Sequence, residues 1–185
     1  ITKIDKQISA LDSIVTNILI SDKLSAPYSN LSIESVSFEN LINQALDLAK
    51  QQNVSISIDN PSLVTCDVVK MAIAIKNILD NAEKYAPSNN PITIKADLEK
   101  GLATITIIDD GPGIPEDLLK TIAQPYVRGA NLKKSGFGLG LSICQKVIAA
   151  HSGELIVSND KARGAIFKLV WPAQKQESSY AKKQS

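Results

Sequence analysis

The sequence predicts an α/β fold, a two-layer α/β sandwich with a mixed sheet on one side and helices packed on one of its faces. Three observations predict it. Short stretches of alternating apolar and polar residues recur between amphipathic helical stretches, so strands and helices are intermixed. Several strands follow one another across short turns, as at Lys100-Gly101, which makes them antiparallel neighbours. The longer helical stretches are apolar along one stripe, the pattern of a helix covering one face of a layer.

The elements follow in order. Ile1, Ile4, Ile8, Leu11, Val15 and Ile18 recur at alternating steps of three and four, an a/d seam over nearly three heptads. A helix packed on its own domain shows such a stripe too. A regular seam ahead of a Pro/Ser/Asn-rich break at residues 21–30 favours packing against another helix. Residues 31–36 alternate as a short strand, and Ser37 caps a helix carrying Phe38, Leu41, Ile42, Ala45, Leu46 and Leu48. Residues 54–58 and 63–66 read as strands. Asp67 caps a long helix over 68–85, which must stop before Pro87. Residues 91–99 and 102–108 form a strand pair. Residues 109–135 read as loop with one short helix near 116–123, and 139–150 as helix. Residues 155–157 and 165–171 make a closing hairpin. The chain thus divides into a partial bundle helix (1–26), an α/β domain (27–173) and a polar tail expected to be disordered (174–185).

Composition excludes several functions. Twenty Lys and Arg against 19 Asp and Glu give a net charge of +1, without the basic footprint that nucleic-acid binding requires. Cys66 and Cys144 lie in apolar stretches and read as core residues rather than a disulfide framework or metal site. No apolar run is long enough to cross a bilayer. The first residue is not Met and falls inside a helical pattern, so a piece of a longer protein is expected.

Neither the G-x-x-x-x-G-K-[ST] nor the G-x-G-x-x-G phosphate motif is present. Three other features carry chemistry. In Lys76-Asn-Ile-Leu-Asp-Asn-Ala-Glu-Lys-Tyr-Ala-Pro87, Asn77, Asn81 and Lys84 share one helix face, opposite Met71, Ile75, Ile78, Leu79 and Ala82. Amide oxygens are hard neutral ligands suited to Mg²⁺, and Lys84 can neutralise phosphate. The same residues also describe an ordinary solvated face. In Ile107-Ile-Asp-Asp-Gly-Pro-Gly-Ile-Pro115 a strand ends at a carboxylate and turns on Gly111 and Gly113. A buried Asp109 can accept the amine of adenine and reject guanine, which presents an acceptor there. A plain Asp-Gly turn accounts for the glycines alone. Finally, Gly136-Phe-Gly-Leu-Gly-Leu-Ser142 runs into a helix, where exposed backbone N–H groups and the helix dipole favour phosphate, with Lys133 and Lys134 just before. Together and in this order the three are far more specific than any one.

In this combination the residues resemble the catalytic domain of sensor histidine kinases over roughly 32–172. The 76–87 stretch resembles that family's N box, 109–113 its first glycine box and 136–140 its second. Pro125-Tyr-Val-Arg-Gly129 resembles the F box, with Tyr126 where Phe is commoner. Residues 1–24 resemble the second helix of the dimerisation and phosphotransfer bundle. The resemblance implies a mixed five-stranded sheet with three helices, preceded by one long helix, and two ligands, ATP and Mg²⁺. It implies that Asn81 ligates the metal, with Asn77 near metal and phosphates, and that Lys84 and Arg128 contact phosphate. Tyr85 would lie against the adenine and Asp109 would bind its amine. Gly136, Gly138, Leu139 and Gly140 would shape the phosphate end, under a lid at 116–135 that carries Tyr126. The expected partners are ATP, a response regulator and a second copy through the bundle, in a parent anchored at the membrane with this part on its cytoplasmic face. Related ATPases and serine kinases usually carry Glu where this chain has Asn77, and a neutral amide cannot act as general base. A histidine acceptor, largely neutral near pH 7, needs none. Alternatives are a gyrase-type ATPase and a degenerate nucleotide-binding dimerisation module. The single histidine, His151, at a helix end, reads as structural and suited to the negative end of the dipole. The acceptor histidine is expected upstream.

Overall fold

A computed structural model describes residue 15 and residues 31–86, 90–127, 138–160 and 164–173. The expected bundle helix over 1–26, apart from Val15, and the expected tail over 174–185 lie outside these residues.

The elements run β1 (Glu34–Ser37), α1 (Phe38–Ala49), β2 (Val54–Ile58), β3 (Leu63–Cys66), α2 (Val68–Tyr85), β4 (Ile92–Glu99), β5 (Leu102–Ile108), α3 (Glu116–Leu119), α4 (Gly140–Ala150), β6 (Glu154–Asn159) and β7 (Ala165–Pro172). Five strands form one sheet in the order β2-β4-β5-β7-β6, and β1 pairs with β3 in a separate two-stranded ribbon. Only the β2–β4 pair is parallel, so the sheet is mixed, as expected.

Capping residues fix the helix boundaries. Ser37 ends β1 and its hydroxyl accepts Asn40 N–H at 3.2 Å to start α1. Lys50 then turns left-handed at φ 54°, and Gln51 N–H returns to the Leu46 carbonyl, closing α1. Asp67 caps α2 through Lys70 N–H at 3.1 Å. At its other end α2 stops at Tyr85, two residues ahead of Pro87.

One face of the sheet is dry. Ile94, Ala96, Ala103, Ile105, Ile107, Phe167, Leu169 and Trp171 alternate along β4, β5 and β7 and pack on the apolar stripes of α1, α2 and α4. Each fully buried Leu or Ile there contributes about 1.5–3 kcal/mol. Trp171 joins the layers: its ring meets Phe38 edge-on at 6.3 Å and its indole N–H donates to the Thr65 carbonyl of the ribbon at 3.1 Å. Both cysteines are core residues. Burial, with the charges of Asp67 and Glu34, pushes the Cys66 thiol up to about 12, and burial raises Cys144 as well, so both stay protonated.

The short helix predicted near 116–123 is α3, which ends at Leu119. No residue of it is buried, so the chain passes into turns held by Thr121 and Ile122 N–H bonds to the Leu118 carbonyl. Among the described residues no helix is long and apolar enough to cross a membrane.

Candidate nucleotide site

The three sequence motifs converge at one end of the helical layer. Helix α2 carries Asn77, Asn81 and Lys84 on one face, opposite the buried stripe of Met71, Ile75, Ile78, Leu79 and Ala82. Asn77 sits where that polar face meets α4. A Cβ placed on Gly140, the first residue of α4, would lie 3.7 Å from Asn77 Oδ1, so the amide rests directly on the helix start. Asn77 is 6% exposed, and its Nδ2 has no hydrogen-bond partner among the described residues. At Asn77 this face is buried rather than solvated. A buried amide donor without an acceptor costs about 1–3 kcal/mol, a sum a fold tolerates where the group serves a ligand.

Helix α4 begins without a side-chain cap at Leu139, which leaves its first N–H groups to other acceptors. Gly138, at φ 70°, shapes the approach. Its carbonyl accepts Tyr126 N–H at 3.0 Å, and a Cβ there would come within 2.8 Å of the Val127 carbonyl. Residues 126–127 are thereby tied to the helix start through their backbone. The Tyr126 ring is not brought in: it is 76% exposed, on a residue at φ 66°. Arg128 and Gly136 lie outside the described residues.

At the C-terminal end of α2, two turns beyond Asn77, the Tyr85 carbonyl approaches Gly111, whose added Cβ would lie 3.3 Å from it. The Lys84 ammonium stands 4.9 Å from the Tyr85 ring centre. Asp80 pairs with Lys76 one turn back along the helix. Asn81 is half-buried on the same face as Asn77. Its amide oxygen fits a hard divalent cation whose remaining ligands are phosphate and water.

Asp109 follows directly on β5 and is 5% exposed. Its Oδ1 accepts two backbone N–H groups, Gly111 at 2.8 Å and Ala165 at 3.0 Å. Both fall on one oxygen, which fixes the carboxyl plane and leaves Oδ2 outside these bonds. What holds this group lies outside the motif that contains it. Gly164 packs so tightly that a Cβ would lie 2.1 Å from Asp109 Oδ1, and its N–H donates to the Asp109 carbonyl at 2.9 Å. A lone glycine at the entry to β7 was the available signal.

His151 lies away from this cluster, at the far end of α4. Its Nε2 accepts Asp67 N–H at 2.9 Å and its Nδ1 is bonded to the Val147 carbonyl at 2.8 Å. The structural reading holds, but the dipole argument does not. Burial lowers the ring's pKa, helped by the charge of Lys70 and opposed by the Val147 carbonyl and Asp67, so it serves as a neutral acceptor.

A buried carboxyl at a strand end, amides on a helix face and an uncapped helix start, over a mixed five-stranded sheet, define an α/β nucleotide-binding domain that works without a P-loop. The chain belongs to the family described as histidine kinase-, DNA gyrase B-, and HSP90-like ATPase, which its residues 66–175 match. Among its relatives is the adaptive-response sensory kinase SasA of Synechococcus elongatus, 31% identical over 176 residues that cover 90% of this chain and 45% of SasA. Sensor protein KdpD of Clostridium acetobutylicum is 30% identical over 167 residues, 86% of this chain and 19% of KdpD. The chain thus spans less than half the length of these relatives. Of solved structures, the mycobacterial sensor histidine kinase MprB superposes with a TM-score of 0.68 at 26% identity, over 76% of this chain and 99% of that one. Full-length ShkA in complex with AMPPNP gives 0.73 at 26% identity, over 88% and 36%. The five-stranded sheet and its helices are those of histidine-kinase catalytic domains.

Proposed function

We propose that this domain binds MgATP in the cleft between α2, the Asp109 loop and the start of α4, and that its parent protein transfers the γ-phosphate to a histidine on a dimeric helical bundle. In this reading Asp109 accepts the adenine amine. Tyr85 flanks the base, and Gly111 and Gly113 let the backbone approach it. Asn77 donates its buried amide to a phosphate oxygen, Asn81 ligates Mg²⁺, and Lys84 and Arg128 balance phosphate charge. Gly136, Gly138, Leu139 and Gly140 frame the phosphate end, beneath a lid that includes Tyr126. The observation that carries the reading is the buried Asn77 amide, which has no hydrogen-bond partner among the described residues and rests on an uncapped helix start.

Bound Mg²⁺ supplies neutralisation of the phosphate charge. The chain's own residues hold and orient the nucleotide and keep water from it. The acceptor imidazole nitrogen forms the new bond to phosphorus as the bond to the ADP oxygen breaks. A neutral imidazole attacks with its lone pair, so Asn77 has no proton to remove. The phosphoryl group then passes to a response-regulator aspartate. The helix over 1–26, as part of that bundle, and a membrane-anchored parent with this domain on its cytoplasmic face belong to the same proposal.

Calorimetry tests it. The chain should bind MgATP and discriminate against GTP, and Asp109→Asn should weaken ATP by about thirtyfold or more, the cost of a lost charged hydrogen bond. Incubation with γ-labelled ATP should leave the isolated chain unlabelled, because its one histidine has both ring nitrogens engaged. Unchanged affinity and purine choice in Asp109→Asn would refute the assignment.

A further inference from the structure

The loop that follows β5 is pinned at two points, and both pins come from the β6–β7 hairpin. The first lies at Asp109. Its N–H donates to the Ala165 carbonyl at 3.1 Å, and Gly164 N–H donates to the Asp109 carbonyl at 2.9 Å. The second lies five residues on, at Ile114. Asn159, the last residue of β6, accepts Ile114 N–H on Oδ1 at 2.8 Å and donates Nδ2 to the Ile114 carbonyl at 2.7 Å. One side-chain amide thus satisfies both backbone groups of one residue, as a neighbouring strand would. Asp160 N–H bonds the Gly164 carbonyl at 3.0 Å and joins the two pins across the hairpin. Between them run residues 110–113, ending in Gly113 at φ 74°, where a Cβ would meet Asn159 Oδ1 at 3.0 Å.

We infer that Asn159 is a positioning residue for nucleotide recognition: without touching the nucleotide, it fixes the far end of the Asp109–Ile114 loop and so sets how well the loop holds adenine. The inference rests on the nucleotide reading given above. Its chemistry is specific. The position needs a donor and an acceptor on one planar group at one reach. Asp keeps only the acceptor, and Ala keeps neither. Asn159 is exposed, so its bonds contribute little to the overall fold and act on the loop they close.

The test is a calorimetric titration of the full chain with MgATP and MgGTP, for wild type, Asn159→Ala, Asn159→Asp and Asp109→Asn, with thermal melts alongside. The expected result for Asn159→Ala is about tenfold weaker ATP binding and a narrower ATP-over-GTP preference. Its Tm should shift by less than about 2 °C. Asn159→Asp should fall between Ala and wild type. Unchanged ATP affinity in Asn159→Ala, while Asp109→Asn loses it, overturns this inference and spares the nucleotide reading. A large fall in Tm with an unaltered purine preference reduces Asn159 to a structural role and also overturns it. If Asp109→Asn binds ATP as wild type does, both readings fall.

Discussion

Helices α2 and α4 lie against each other in opposite directions, and their contact has two ends built on opposite terms. At one end Asp67 N–H meets His151 Nε2. Midway the Cys144 thiol donates to the Ala74 carbonyl at 3.2 Å. At the other end Asn77 meets Gly140. Around Asp67 and His151 every named polar group is answered from within. Asp67 accepts Lys70 N–H, the Lys70 ammonium and Ser32 N–H at 3.0 Å, and both ring nitrogens of His151 are engaged. Around Asn77 a buried amide donor has no partner among the described residues, and α4 starts without a cap. Equal burial of polar groups therefore marks two roles. The satisfied end holds the helix pair together, and the unsatisfied end is the one the proposed function assigns to phosphate.

The largest effect on stability is expected at the satisfied end. His151→Ala removes a packed ring and strands Asp67 N–H, while the Val147 carbonyl keeps the backbone N–H of residue 151, at about 3 kcal/mol. Denaturant melts should register that loss, and a shift under about 1 kcal/mol would erase the contrast between the ends. Gly164→Ala comes next, at about 2 kcal/mol. Its Cβ can be housed only by moving the Asp109 carboxyl and the backbone at Gly111, so ATP affinity should fall with stability, by calorimetry and melt together. A smaller effect is pH dependence. The folded-state pKa of His151 is lowered, so the unfolded chain binds the extra proton first. That share of stability is present above about pH 6.5, the ordinary imidazole value, and is lost as pH falls through the folded-state pKa. Tm measured from pH 7.5 down to about 5.5 should decline, and less so in His151→Gln. Equal slopes would show that the ring is not the titrating group.

Much of the fold was legible because local signals agreed. Alternation over Val54–Ile58 and Leu102–Ile108, and Asp67 ahead of the stripe through Val68–Tyr85, gave boundaries that the structure keeps. The first strand was less so. The alternation at 31–36 points to a strand there, whereas pairing with β3 sets β1 at Glu34–Ser37, a register decided by a partner distant in sequence. The site divides the same way. Asp109, Asn77 and Gly140 lie in motifs whose composition announces phosphate or purine chemistry. Asn159, Gly164 and Ala165 act through backbone contacts with residues some 50 positions away, and no local pattern encodes them. The structural reading of His151 holds, but its dipole argument fails for a related reason. A helix-end histidine reads as a cation until the Asp67 N–H that needs its lone pair is seen.

The contrast between the two ends is tested most directly by Asn77→Leu, a near-isosteric change that deletes the buried amide donor. Melting temperature and MgATP affinity should be measured on the same preparation. The predicted result is a Tm equal to or above wild type with ATP affinity reduced about tenfold or more. A lowered Tm with undiminished ATP affinity would mean that Asn77 serves the fold and not the nucleotide.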